Sequence, residues 1–524
     1  MKILRIVLLL LTVSSMLKGC EDCAFSLQGY SFLSPRSQSV NAGRELVGWR
    51  DFINLGCQNG WYTAFYAAPQ YGTSFRNYRI AEYFFGNNEI SVAGSNYQNR
   101  DNFILADYFG LSPDFLSEVG LNPKINTGLI DFNWYLGYKK WYFRIHAPVV
   151  WTKTEFELNE IVQESGAGTP FPALYMADGA ISAPARSFTQ AMATQVTYGE
   201  VREGLQFGRI VPCQKITRLS DVQMALGYNF IADEIMHVGF NFRCYAPAGN
   251  RSEARYLLEP IVGNGHHWEL GMGFTTHFLV WQKDTDQHVG IYFDGNFTGI
   301  LPSTQRRSFD FGVSSCQNQS NFGSRYILLK EFDTAGDYTR NAFPAINYTT
   351  LYCRVHNNFQ MDIALMLGYS SRWVDFDIGY EVWLRSKEHV CLLEGLDAKR
   401  FGLKGIQNVA LAPAVISNAT QTETATLEGN YYPDRLLVVD TPSPQFVSTE
   451  DLNLSSGAAP MAFTQKVFWN LSHAWNHLES TSVAPFVGIG GEFEFEGLNP
   501  RRTTEPNQNS VSQWALWIKG GFAY

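Results

Sequence analysis

The sequence predicts an all-β fold: a transmembrane antiparallel up-and-down β-barrel of about 14 strands, within roughly 12 to 16. Three observations predict it. Apolar and polar residues alternate with period two over runs longer than the five or six residues common in soluble strands. Aromatic residues make up 15% of the chain and charged residues only 17%, against a charged share of roughly 25% in soluble domains. The connections between runs are alternately short and long.

The N-terminus is read first, because it decides the compartment. Lys2 precedes an apolar stretch from Ile3 to Leu17, broken only by Arg5, which is the pattern of a secretory signal over residues 1–19. Leu17-Lys18-Gly19-Cys20 resembles the lipobox of bacterial lipoproteins, with Lys18 in place of the usual small or apolar residue. Lipidation at Cys20 and ordinary cleavage nearby therefore both stay open. No later stretch has the about 20 apolar residues a membrane helix needs, and the mean hydropathy is −0.15.

The strand pattern then runs along residues 59–524. A hairpin is expected at Asp131 to Trp151, turning at Lys139-Lys140. From Val222 to Phe230, Val222, Met224, Leu226, Tyr228 and Phe230 share one face and Gln223, Ala225, Gly227 and Asn229 the other. After an Asp233-Glu234 turn, Met236, Val238, Phe240 and Phe242 oppose His237, Gly239, Asn241 and Arg243. His266 to Trp281 alternates likewise, turns at Lys283 to Asp286 and returns through Val289, Ile291, Phe293 and Phe297. Leu351 to Tyr369 reads as a hairpin turning at Asn357-Asn358, and Trp373 to Arg385 as one strand. Val483 to Phe495 and Val511 to Tyr524 complete the series. The segment 78–115 is less strand-like and reads as a plug, a loop or a further hairpin.

A soluble sandwich also alternates, but the face opposite the greasy one is here rich in Gly and Ala with isolated charges, where a soluble surface would be densely charged. Trp134, Tyr138, Trp141 and Trp151, and later Trp514 and Tyr524, cluster near strand ends, as rings at a headgroup level would. The final Trp517-Ile518-Lys519-Gly520-Gly521-Phe522-Ala523-Tyr524 resembles the terminal strand of Gram-negative outer-membrane barrel proteins, with Tyr524 where that family most often has Phe. The resemblance implies a porin-like barrel in the outer membrane, with outer-membrane lipid and the barrel-assembly machinery as partners. It places 20–58 as an N-terminal periplasmic segment and the long connections outside the cell.

The charged residues expected on the inner face are candidates for lining a pore. Glu492, Glu494 and Glu496 lie on alternate positions of one strand, about 7 Å apart. Such a stripe would favour cations, or would be neutralised by Lys519, Lys466 or arginines. Arg144, Arg243, Arg354 and Arg385 are expected to face Asp221, Asp294, Asp375, Asp377 and Glu381, either as a transverse field or as a salt-bridged interior. His267, Glu269 and His277 share a face, but ten residues of strand span about 33 Å, so they do not form one metal site. No GxSxG, P-loop, HExxH or dinucleotide motif is present. Cys20 and Cys23 sit in the signal region, the other six of the eight cysteines lack the paired CxxC spacing of a zinc site, and the net charge of −9 argues against nucleic acid.

The expectation is a channel for passive diffusion of small hydrophilic solutes, without catalysis, cofactor or metal, as a monomer or homo-oligomer. The alternatives are a surface structural or adhesin barrel, a plugged transporter of hydrophobic ligands, and, third, a barrel hydrolase.

Overall fold

Twelve antiparallel strands close on themselves in this computed structural model. It describes residues 29–55, 60–97, 103–171, 181–233, 235–283, 287–311, 322–335, 338–404, 446–475, 483–497 and 510–524. The signal region, the site of lipidation at Cys20, and Cys57 and Cys316 lie outside the described residues.

The barrel strands, in chain order, are β1 (Trp61–Ser74), β2 (Leu116–Tyr138), β3 (Trp141–Glu164), β4 (Val222–Ala232), β5 (Met236–Ala246) and β6 (Glu269–Gln282). They continue as β7 (His288–Ser308), β8 (Thr350–Ser370), β9 (Asp375–Arg385), β10 (Ala462–Ala474), β11 (Ala484–Glu496) and β12 (Gln513–Ala523). Each pairs with its sequence neighbours, and β12 pairs with β1 from Ala64↔Ala523 to Ser74↔Gln513, which closes the ring. Closure leaves no open edge, the condition for burying a sheet in hydrocarbon.

Side-chain period two then sorts the residues. Leu226, Phe242, Leu270, Val280, Leu365 and Ile518 stand exposed on the outside, while Gln223, Ala225, Asn241, Arg243, Asp377 and Lys519 are buried inside. Trp141 and Trp151 both lie on the outward face of β3, about 33 Å apart along the strand, a spacing that fits two interfacial belts. At the turn end, Trp61 stacks near Tyr138 (4.7 Å) and Trp141 against Tyr228 (4.9 Å).

The strands flanking the predicted turns at Lys139-Lys140, Asp233-Glu234 and Lys283 to Asp286 pair as hairpins, Glu234 and residues 284–286 themselves lying outside the described residues. The hairpin predicted within Leu351 to Tyr369 does not form. Thr350–Ser370 is a single strand through Asn357-Asn358, where two successive residues, Asn358 and Phe359, are exposed. Its partner β7 shifts register between Thr298 and Ile300 and again between Ile300 and Ser303. This bulge moves the outward set by one position, so Cys353 and Val355 turn inward and Arg354 outward. Arg354 is therefore not a lumen residue. Twelve strands is the lower end of the expected range, and merging these two runs accounts for one of the difference.

The described parts of the long connections pack together at one end. In the described parts of 78–115, the segment expected as a plug, a loop or a further hairpin, helix Asn77–Phe85 and the short strands Glu89–Ala93 and Phe103–Leu105 lie beside the extended part of β2. Phe84 and Phe85 join Phe109, Phe188, Phe309, Tyr326 and Phe401 in one hydrophobic cluster.

Candidate functional site

The interior of the barrel is occupied by the chain's own N-terminal segment. Residues 29–55 run from the loop end, where Ser31 Oγ donates to Ser456 O (3.1 Å) and Tyr30 stacks on Tyr83, to the turn end. There Asn54 and Leu55 N–H groups donate to Tyr135 Oη (3.1 Å) and Tyr62 Oη (3.0 Å). The segment 20–58 was expected in the periplasm; over its described part it lies in the lumen instead. It lacks strand periodicity because its polar groups are satisfied by wall side chains rather than by a ladder.

In the middle, α1 (Ala42–Leu46) is capped at its start by Asn41, whose side chain accepts from Arg44 N (2.9 Å). Its last carbonyls accept from Lys519 Nζ on β12, at 2.6 Å to Arg44 O and 2.8 Å to Val47 O, the favourable end for a cation. Lys519 thus binds the plug and does not pair with the glutamate stripe.

The charges of the wall are matched by charges of the plug. Arg36 contacts Asp362 (2.9 Å), Glu381 and Glu494 (3.1 Å). Arg44 Nε donates to Asp131 (2.9 Å) and Arg50 pairs with Asp377. Glu45 meets Arg144 (3.0 Å), His146 (3.6 Å) and Arg243 (3.7 Å). Backbone N–H groups of Ala42, Gly43 and Gly48 donate to Asp362, Glu381 and Asp377 at 2.7–2.9 Å. Arg385 donates to Ser34 O (2.5 Å), and Ser37 Oγ to Asp221 (2.7 Å).

The residues predicted as lumen lining are therefore inward, Arg354 excepted. Glu492 is held by Lys466 (3.1 Å) and Asn41, and Glu494 by Arg36, so the pairing alternative applies to the stripe. Glu496 lies at its loop end, 4.0 Å from Arg79. Asp375 sits half-buried near the turn end. Asp294 borders a cavity of about 30 Å³ below the plug, with Arg243, His237 and Tyr292. His267 bonds Leu301 O and Gln305, while Glu269 accepts from Asn264, Thr298 and Gln360. His277 stacks on His237 (5.7 Å) elsewhere along the strand, as the spacing argument requires. Sequence reasoning missed Arg36, Arg44, Glu45 and Arg50; the available signal was a short segment carrying charges that complement the wall.

Above the plug, a second cavity of about 90 Å³ is bounded by Arg36 and Arg44, by Gln70 and Gly72 of β1, Thr152 of β3 and Trp383 of β9.

No protein-family model matches the sequence, and no curated protein matches it. Among solved structures, an outer-membrane channel from Pseudomonas putida F1 is similar at 8% identity over 90% of this chain and 98% of its own, with TM-score 0.34. The Pseudomonas putida toluene transporter TodX is similar at 7% identity over 96% and 99%, with TM-score 0.28. The outer-membrane channel DcaP of Acinetobacter baumannii is similar at 7% identity over 89% and 99%, with TM-score 0.20. These likenesses are distant; the barrel assignment rests on the closed strand ladder and its apolar exterior.

Proposed function

We propose that this chain is an outer-membrane channel for small solutes whose lumen is closed at rest by its own N-terminal segment. The observation that carries the reading is the matching of wall charges to plug charges, with Arg36, Arg44, Glu45 and Arg50 all buried inside the ring. Such a lumen does not conduct as an open diffusion pore. It needs a displacement of α1 and its neighbours, after which inward Arg144, Arg243, Glu381 and Asp377 would line a polar path. The expectation of free passive diffusion thus becomes gated diffusion, with no chemical step.

The folded cluster of outer loops favours a second reading, a surface scaffold whose barrel never opens. Liposome swelling separates them. Vesicles carrying the intact chain and a variant with Arg36→Gln and Glu45→Gln are diluted into sugars and amino acids of graded size. Size-dependent swelling with the variant supports the gated channel; none with either protein supports the scaffold.

A further inference from the structure

The cavity above the plug has a chemistry of its own. Its charged lining groups are Arg36, Arg44, Lys466, Glu492, Glu494 and Glu259, and every one is engaged. Arg36 and Lys466 are shared among Asp362, Glu381, Glu492 and Glu494. Arg44 holds Asp131 and Gln70. Glu259 accepts from Ser252 Oγ and the N–H groups of Glu253, Ala254 and Arg255. An anion entering here would lose its water without gaining a free counter-charge, and a cation would have to displace the donors these carboxylates already hold.

What the wall leaves unused is neutral. Trp383 Nε1 and Thr152 Oγ1 are buried polar atoms with no hydrogen-bond partner among the described residues, and both residues border the cavity. Trp383 is held rigidly, with the guanidinium groups of Arg36 and Arg385 over its ring at 5.5 and 5.3 Å. The rest of the lining mixes aliphatic residues such as Leu33, Ile125, Leu129 and Ile261 with neutral polar ones such as Gln38 and Thr127. The enclosed space, about 90 Å³, is several times the roughly 10–15 Å³ that a single water needs.

We infer that this chamber binds an uncharged organic solute with an aliphatic body and a hydroxyl or carbonyl group, which accepts from Trp383 Nε1 and exchanges a hydrogen bond with Thr152. The inference rests on the gated-channel reading, for which the chamber is the antechamber to the plug, and it names that channel's solute class.

Saturation-transfer NMR on the full chain in lipid nanodiscs tests it with three probes of one body: cyclohexanol, cyclohexanecarboxylate and cyclohexylammonium, each corrected against empty nanodiscs. Cyclohexanol should bind at least about tenfold more tightly than either ion, and Trp383→Phe or Thr152→Val should each weaken it several-fold. Thr152→Val, which keeps the shape of the side chain, decides the matter if Trp383→Phe fails to fold. Equal or tighter binding of an ion, or cyclohexanol binding untouched by both substitutions, overturns the proposal. Absence of binding by all three also overturns it, and if plug variants still conduct, the failure belongs to the chamber and not to the channel.

Discussion

Arg44 of the lumenal segment donates through Nε to Asp131 of β2 at 2.9 Å, with side chains 1% and 0% exposed. Asp131 also takes His146 and Tyr66 Oη. The pair joins the plug to the wall at a point water does not reach.

Removing one member leaves a buried charge without its partner, a change of about 3–5 kcal/mol. Asp131→Leu should therefore destabilise the folded barrel by that order, and Arg44→Met with Asp131→Leu should recover much of it. Urea unfolding of the lipid-inserted protein, followed by the heat-modified gel shift, checks the double-mutant cycle.

Selectivity should change in opposite directions with the two ends of the plug. Glu45→Gln uncovers Arg144 and Arg243, so conductance through the opened lumen should lean toward anions. Arg36→Gln leaves Asp362, Glu381 and Glu494 with Lys466 alone among the nearby cations and should lean toward cations. Reversal potentials in a KCl gradient read the sign of each.

Two glycines let α1 seat. A Cβ on Gly43 would lie 2.6 Å from Phe468 Cδ1 and 2.8 Å from Glu381 Oε2, and Gly48 has φ +76 with Asn470 Nδ2 2.9 Å from a Cβ. Gly43→Val and Gly48→Val should unseat the plug, raising both conductance and protease cleavage within residues 29–55, while the barrel remains heat-modifiable.

Thiol labelling tests the β8 bulge and the orientation together. Cys213 and Cys391 are exposed and Cys353 is buried. On intact cells a membrane-impermeant maleimide should label the first two and spare Cys353. Arg354→Gln, on the outer face, should leave the reversal potential unchanged.

Most of the barrel was legible because lipid enforces period two: the outward Leu226 and Phe242 and the inward Asn241 and Arg243 follow from alternation alone. The bulge in β8 was not, since Asn357-Asn358 carries the composition of a turn while the ladder runs through it. Nor was the plug. Its conformation is set by Asp131, Asp362, Asp377 and Lys519, residues scattered across the whole sequence, and short-range pattern carries no record of them. The inner charges were identified as a set, but their partners were sought across the wall, where the plug intervenes.

The central claim is that residues 29–55 close the lumen. Planar-bilayer recording of the intact chain beside a variant lacking those residues, both first shown to insert as heat-modifiable barrels, tests it most directly. The account predicts a silent or rarely opening intact protein and stable ohmic steps from the variant. Equal, steady conductance from both would contradict it.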